Sequence, residues 1–442
     1  MNAFYLPLLA LLAALVPVSA VAGEKPPNVL LIISDDQAWN DYSFMGHKSI
    51  RTPYLDRLAG QSLVFTRGYS PVPLCRPALA SIITGLYPHQ HGVTGNDPAL
   101  PDAGVNPMAA RNNPKYARYY ETIINNFQKH PNFVRDLTAR GWLAFQTGKW
   151  WEGDPVKAAG FTHSMTQGVL KTSRHGDAGL DIGRKGLEPI FQFIENAGEH
   201  PWLVWYAPML PHAPHTPPED ILQKYLPIAP SEPVARYWAN VEWFDRTCGE
   251  LLDYLDKKNL RQNTIIIYTT DNGWIQDPEV KNRFAPRSKL TCYEGGVRTP
   301  IMISWAGHIK PHRDTKHLAT NLDIWPTLAS LLKLPAPQNL PGIDLTDARA
   351  VAKREVIFGE QYAHNIADVD SPCRSLEHRW MISGDWKLIV PVDTQSPTNK
   401  IELYNVKSDP WEKKDLAQRE QKILNNLRKK LDEWWTPDIP AK

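Results

Sequence analysis

The sequence predicts an α/β protein with a mixed, mostly parallel sheet sandwiched by helices, followed by a smaller antiparallel sheet with one helix. Three observations carry this. Short apolar runs alternate with helical stretches over most of the chain. Each of four such runs ends on a polar cluster. Past a proline-rich stretch, Pro335 to Pro341, the runs become short and are separated by turn residues, and a charged amphipathic helix ends the chain.

Taken in order, residues 1–22 read as an export signal. An apolar run from Phe4 to Val16 precedes Pro17 and the small-x-small site Ala20-Val21-Ala22. No Lys or Arg precedes the run, so an uncleaved anchor is the rival reading. The expected location is secreted or periplasmic, with no membrane span in the mature chain.

Asn28–Ile33 is the first strand and ends at Ser34-Asp35-Asp36. Trp142–Gln146 is the second and leads to Thr147-Gly148-Lys149. Trp202–Tyr206 is the third, before Pro211-His212, and Thr264–Tyr268 the fourth, before Asp271-Asn272-Gly273. In open α/β sheets the carboxyl edge of the strands is where ligands bind. Helices are expected near Pro77–Thr84, Phe133–Ala139, Leu187–Glu195, Val234–Leu255 and Ile324–Leu332. Residues 23–340 are expected to form the large domain and 341–442 a smaller α+β unit. In the latter, Val356–Phe358, Trp380–Ile382 and Trp386–Val390 are strand-like, and a helix runs from about Ala417 to Trp435.

The 442 residues suffice for one large core. The 49 basic and 47 acidic residues are interspersed, so neither a nucleic-acid-binding stripe nor an acidic tail is present. The four cysteines, Cys75, Cys248, Cys292 and Cys373, form no Cys-x-x-Cys zinc pattern and no disulfide framework.

Asp35, Asp36 and Asp271 should share one rim, with the amide of Asn272 beside them. Carboxylates about 5 Å apart repel by roughly 3 kcal/mol per pair at an effective dielectric near 20. A cation must sit among them, or one must hold a proton. Oxygen ligands without His or Cys spacing favour a hard ion, calcium ahead of magnesium. Capping of the following turn is the plain alternative for Asp35 and Asp36. A helix beginning near Pro77 puts Cys75 at a helix amino end, where the macrodipole favours an anion, although a cysteine there is more often a small buried apolar residue.

These residues bring a family into view. Asn28 through Asp36, Cys75-Arg76-Pro77, Thr84–Pro88, Thr270–Gly273 and Tyr293–Pro300 resemble the type I, formylglycine-dependent sulfatases of the alkaline phosphatase-like superfamily. The resemblance implies that a formylglycine-generating enzyme oxidises Cys75 to formylglycine. It also implies that calcium is held by Asp35, Asp36, Asp271, Asn272 and residue 75, and that a sulfate ester is hydrolysed. It casts Lys149 and Lys289 as the cations facing sulfate and His212 as the acid at the leaving oxygen. Export and the many aromatic residues point to a sulfated carbohydrate.

Two positions depart from the family pattern. Cys-x-Pro-x-Arg reads here with Leu79 in the last place, and Gly-Lys-x-His reads with Trp151. Arg76 is the expected replacement for the missing arginine, and His91, His163, His215 or water for the missing histidine. His163, His175, Asp177, Arg184 and His364 are candidates for the sugar-facing side. Two alternatives stay open: a phosphatase or phosphonate hydrolase of the same fold, and a weakly catalytic binder of sulfated glycans with unmodified Cys75. Asp271-Asn272, where metal-dependent phosphatases often have Asp-His, argues against the first.

Overall fold

The computed structural model describes residues 25–100, 110–168, 177–335, 337–393 and 399–438. The expected export segment and His175 lie outside them.

The large sheet is built on β1 (Asn28–Ser34), β2 (Leu63–Tyr69), β3 (Leu143–Gly148), β4 (Trp202–Ala207), β5 (Thr264–Thr270) and β6 (Arg298–Ser304). Their order is β2-β6-β5-β1-β4-β3, extended by short edge pieces. β3, β4, β1 and β5 pair in parallel, while β6 runs antiparallel to both β5 and β2. Every residue of β1, β4 and β5 is buried, as expected for central parallel strands covered on both faces, which read as unbroken apolar runs.

Helices fill both faces. Val29, Leu31 and Ile33 pack on one side with α2 (Cys75–Thr84), α3 (Pro114–Gln128), α4 (Phe133–Thr138) and α8 (Ile324–Leu331). Leu30 and Ile32 pack on the other with α1 (Pro53–Gly60), α5 (Glu188–Ala197) and α7 (Glu232–Lys257). A further helix, α6 (Glu219–Tyr225), packs on α7. The sequence reading anticipated four of the six long strands but not β2 or β6, whose runs are interrupted by Arg67 and Pro300. It also missed α1, α3 and α6. Helix α2 starts at Cys75 rather than near Pro77; Pro77 still falls in the first turn, where its lacking N–H is an orphan position anyway.

The C-terminal unit is an antiparallel sheet of β7 (Val356–Tyr362), β8 (Leu376–Ser383), β9 (Trp386–Pro391) and β10 (Glu402–Asn405), in that order. Leu424, Leu427 and Leu431 of α9 (Gln421–Trp434) cover one face. The other face packs through Trp380, Ile382 and Ile389 on Tyr69, Val297 and Leu318 of the large domain. Among the described residues, no helix is long and apolar enough to cross a membrane. All four cysteines are unbridged.

Candidate active site

Parallel pairing of β1 with β5 sets Ser34 opposite Thr270, so the polar residues that follow each strand emerge side by side. Asp36 adopts a left-handed backbone, φ 60°, rare for a residue with a side chain. Its N–H donates to Asp271 Oδ1 at 3.0 Å, and Asn272 N–H donates to the same oxygen at 2.6 Å. Cys75, the first residue of α2, brings Sγ to 3.9 Å from Asp35 Oδ1 and 3.8 Å from Asp36 Oδ1.

Two lysines close over this group. Lys149 leaves β3 through Gly148, where an added Cβ would sit 1.8 Å from the Ala207 carbonyl oxygen, so only glycine fits. Lys149 Nζ lies 2.8 Å from Asp35 Oδ1 and 3.7 Å from Cys75 Sγ. Lys289 Nζ lies 2.6 Å from each Asp36 carboxylate oxygen and 3.1 Å from Sγ. His212, in the loop after β4, puts Nε2 3.3 Å from Asp36 Oδ2, while its Nδ1 donates to the Ala213 carbonyl. Arg184 fixes that loop by donating to the carbonyls of Met209 and His212 at 2.9 and 2.8 Å.

Three carboxylates thus face two lysines, all buried. Burial drives Asp35 well above the usual carboxylate range, against the pull of Lys149. Asp271 is raised by burial and by Asp36. Asp36 goes the other way: burial opposes ionisation, but Lys289, His212 and Lys149 outweigh it. Burial also pushes the Cys75 thiol well up, more than Lys149 and Lys289 offset. Burial thus works against the anion that the helix end favours. His212 is held well below its ordinary value by burial and Lys149.

A divalent cation fits. Asp271 Oδ2 and Asn272 Oδ1 are buried and have no hydrogen-bond donor, an arrangement that costs about 1–3 kcal/mol per atom unless something positive meets it. Ligand atoms of Asp35, Asp36, Cys75 and His212 lie within 4.8 Å of one another. An oxygen-rich set of this kind suits a hard ion.

Cys75, Lys149, His212 and Lys289 line a cavity of about 290 Å³, walled by Trp151, Met209, Trp274 and Phe284, with Asn96, Asn282, Arg283 and His364 supplying polar edges. All five expected metal-binding residues and Lys149, His212 and Lys289 are brought together. Arg76 is not turned to the thiol. Its buried guanidinium pairs with Glu152 at 2.7 and 2.8 Å, donates to the Asn96 carbonyl at 3.1 Å and lies over Tyr120. It anchors the first turn of α2 from behind.

Leu79 is in the core, whereas Trp151 walls the cavity. His91 bonds Ser81 and accepts from Val93 N–H, away from the cavity, and His163 stands exposed beside Thr162. His215 is buried in an adjoining cavity, and burial lowers it to about 4. Asp177 accepts from Gln167 and Gly179 N–H and shapes a turn. His364 reaches the cavity; Arg184 supports it. Among the residues missed were Asn96, Glu152, Met209, Trp274, Asn282, Arg283 and Phe284. Trp274 follows Asp271-Asn272-Gly273 directly and its position was the available signal; Arg283 and Phe284 sit in an aperiodic loop.

A family model described as Sulfatase matches residues 27–334, and one described as N-sulphoglucosamine sulphohydrolase, C-terminal, matches residues 287–436. Human N-acetylgalactosamine-6-sulfatase is 26% identical over 366 residues, covering 74% of this chain and 66% of its own length. The chain thus spans just under two-thirds of that relative. N-acetylgalactosamine-6-O-sulfatase of Bacteroides thetaiotaomicron is 24% identical over 92% of this chain and 93% of its own. The crystal structure of a sulfatase from Pseudoalteromonas sp. shares the fold, with a TM-score of 0.66, 21% identity, and coverage of 92% of this chain and 90% of that one. With the carboxylate rim, the thiol-bearing helix and the two lysines assembled on that fold, the chain belongs to the sulfatase family.

Proposed function

We propose that this protein is an exported, calcium-dependent hydrolase of sulfate esters on carbohydrate, and that Cys75 is converted to formylglycine by a maturation enzyme. One observation carries the reading: the donorless oxygens Asp271 Oδ2 and Asn272 Oδ1 complete a three-carboxylate group beside Cys75 Sγ. In this reading Asp35, Asp36, Asp271, Asn272 and residue 75 hold the ion, and Sγ stands in for the attacking oxygen.

When present, formylglycine and calcium supply an oxygen nucleophile more acidic than a serine hydroxyl and the charge that polarises the sulfate. Lys149 and Lys289 balance the outer sulfate oxygens as negative charge builds on them. His212, kept neutral by burial and Lys149 with its one proton on Nδ1, presents Nε2 to the reacting centre. The negative charge of a bound sulfate ester favours protonation there, and the proton so gained passes to the departing alcohol oxygen. Trp151, Trp274 and Phe284 exclude water and give a sugar ring apolar faces to rest on. Arg76, held by Glu152, positions the turn that carries residue 75. The N-acetylgalactosamine-6-sulfatase names of two relatives support sulfated amino sugars as the first substrates to try.

The test is sulfate release, read by ion chromatography, from protein produced together with a formylglycine-generating enzyme. Galactosamine-6-sulfate glycans and an aryl phosphate are offered in parallel, with mass spectrometry of the residue-75 peptide. The expected result is an aldehyde at residue 75 and calcium-dependent sulfate release that Cys75→Ala abolishes, with phosphate turnover far slower. An unmodified thiol with no sulfate release would favour the sulfated-glycan binder suggested by Leu79 and Trp151.

A further inference from the structure

The cavity over Cys75 adjoins a second of about 220 Å³. Two chain segments pass from one to the other. His212 and Ala213 line the first and His215 and Thr216 the second, while Asn282 lines both. Asn282 adopts a left-handed backbone, φ 57°, and its Oδ1 accepts from His215 N–H at 2.9 Å, which fixes the shared wall.

The chemistry of the second cavity is basic. Arg236 and Lys281 line it, and no acidic side chain does. Both cations draw on a single oxygen outside it, Glu232 Oε1, at 2.8 and 2.9 Å, which leaves one positive charge in excess. His215 is 5% exposed, set against the rings of Tyr237 and Trp274, and neither of its ring nitrogens has a hydrogen-bond partner. A buried, unsatisfied imidazole is costly unless something polar enters the cavity beside it.

We infer that this basic cleft is a subsite for a second anionic group, a sulfate or a carboxylate, on the sugar next to the one whose sulfate is removed. The inference rests on the proposed sulfatase reading and deepens it: the substrate class becomes a polyanionic oligosaccharide rather than a monosulfated sugar. Lys281 and Arg236 are partly solvated, so the contact is sensitive to salt and acts on substrate affinity rather than on chemistry.

The matured full-length enzyme is assayed on three oligosaccharides that share the scissile sulfated sugar. The neighbouring sugar carries a second sulfate, a uronic carboxylate or no charge. KM for the two charged substrates should be about tenfold below that for the neutral one, with similar kcat. The double variant Arg236→Ala/Lys281→Ala should erase the difference and leave the neutral substrate's kinetics unchanged. The better of the two charged substrates identifies the anion. Equal KM for all three in the unaltered enzyme, or a variant that slows all three alike, would overturn the subsite. Calorimetric binding of the disulfated and monosulfated oligosaccharides to the Cys75→Ala protein is independent of turnover. A preference for the former that the double variant abolishes supports the subsite even if no sulfate is ever released; equal binding overturns it.

Discussion

Lys289 and Glu294 lie in one short stretch of chain, yet they belong to two buried charge clusters of opposite character. Around Lys289, the carboxylates of Asp35, Asp36 and Asp271 face two lysines, and Asp271 Oδ2 and Asn272 Oδ1 have no donor. Around Glu294, two carboxylates face two cations. Lys387 lies 3.1 Å from Glu294 Oε1 and 3.0 Å from Glu412 Oε1, Tyr69 donates to Glu294 Oε2, Arg298 approaches the same oxygen, and Glu294 N–H donates to Glu412 Oε2. Both clusters are buried. The second closes on itself and locks the C-terminal sheet against the loop carrying Lys289. The first stays incomplete, and the deficit is one of positive charge. Buried charge that is fully matched is architecture; buried charge left short of a partner marks where something else binds.

That contrast is broken most sharply at Asp271. Asp271→Ala in the matured enzyme should lower kcat/KM by about a thousandfold, measured by steady-state sulfate release, because it removes a proposed ion ligand. The metal-free Asp271→Asn protein, which keeps an acceptor for the Asp36 and Asn272 N–H groups, should melt at the same temperature or higher, since one repulsive charge is gone.

Lys387→Met should do the reverse. Two carboxylates lose their cation, so unfolding free energy from denaturant titration should fall by about 3–5 kcal/mol, with kcat of the folded fraction largely retained.

The closed cluster should also respond to pH. Burial, reinforced by Glu294, pushes Glu412 up to about 7 despite Lys387. A carboxylate whose folded pKa is raised contributes stability that is complete below its unfolded value near 4.5 and is lost as pH rises through about 7. Stability should decline across that window by at most about 1.4 kcal/mol per pH unit, and Glu412→Gln should flatten the decline. A profile unchanged by that substitution would contradict the assignment.

The smallest effect is expected behind His212. Arg184→Ala frees the carbonyls of Met209 and His212 and should cut kcat about tenfold while KM changes little, because orientation rather than binding is lost. Arg184→Lys should not restore it, lacking the several donors that reach both carbonyls.

Much of this was legible before any coordinates. Parallel strands deliver whatever follows them to one edge, so Asp35, Asp36, Lys149, His212, Asp271 and Asn272 could be gathered from strand endings alone. Cys75 and Lys289 came from motif resemblance, since neither follows a strand of the large sheet directly. What stayed hidden depended on distant partners. The fate of Arg76 is decided by Glu152, which no spacing rule connects to it. The upward shift of the Cys75 thiol is set by burial, which outweighs Lys149 and Lys289. β2 and β6 escaped because antiparallel strands with polar interruptions give a weaker signal than the apolar run of β5. The cavity walls Arg283 and Phe284 belong to a loop whose form follows from contacts such as Arg283 with Asp277, not from periodicity.

The charge deficit at the rim is tested most directly by calorimetric titration of calcium into the metal-free protein. One site per chain should be seen, lost in Asp271→Ala and unchanged in Glu412→Gln. Absence of binding to the unaltered protein, or binding that survives Asp271→Ala, would contradict the account.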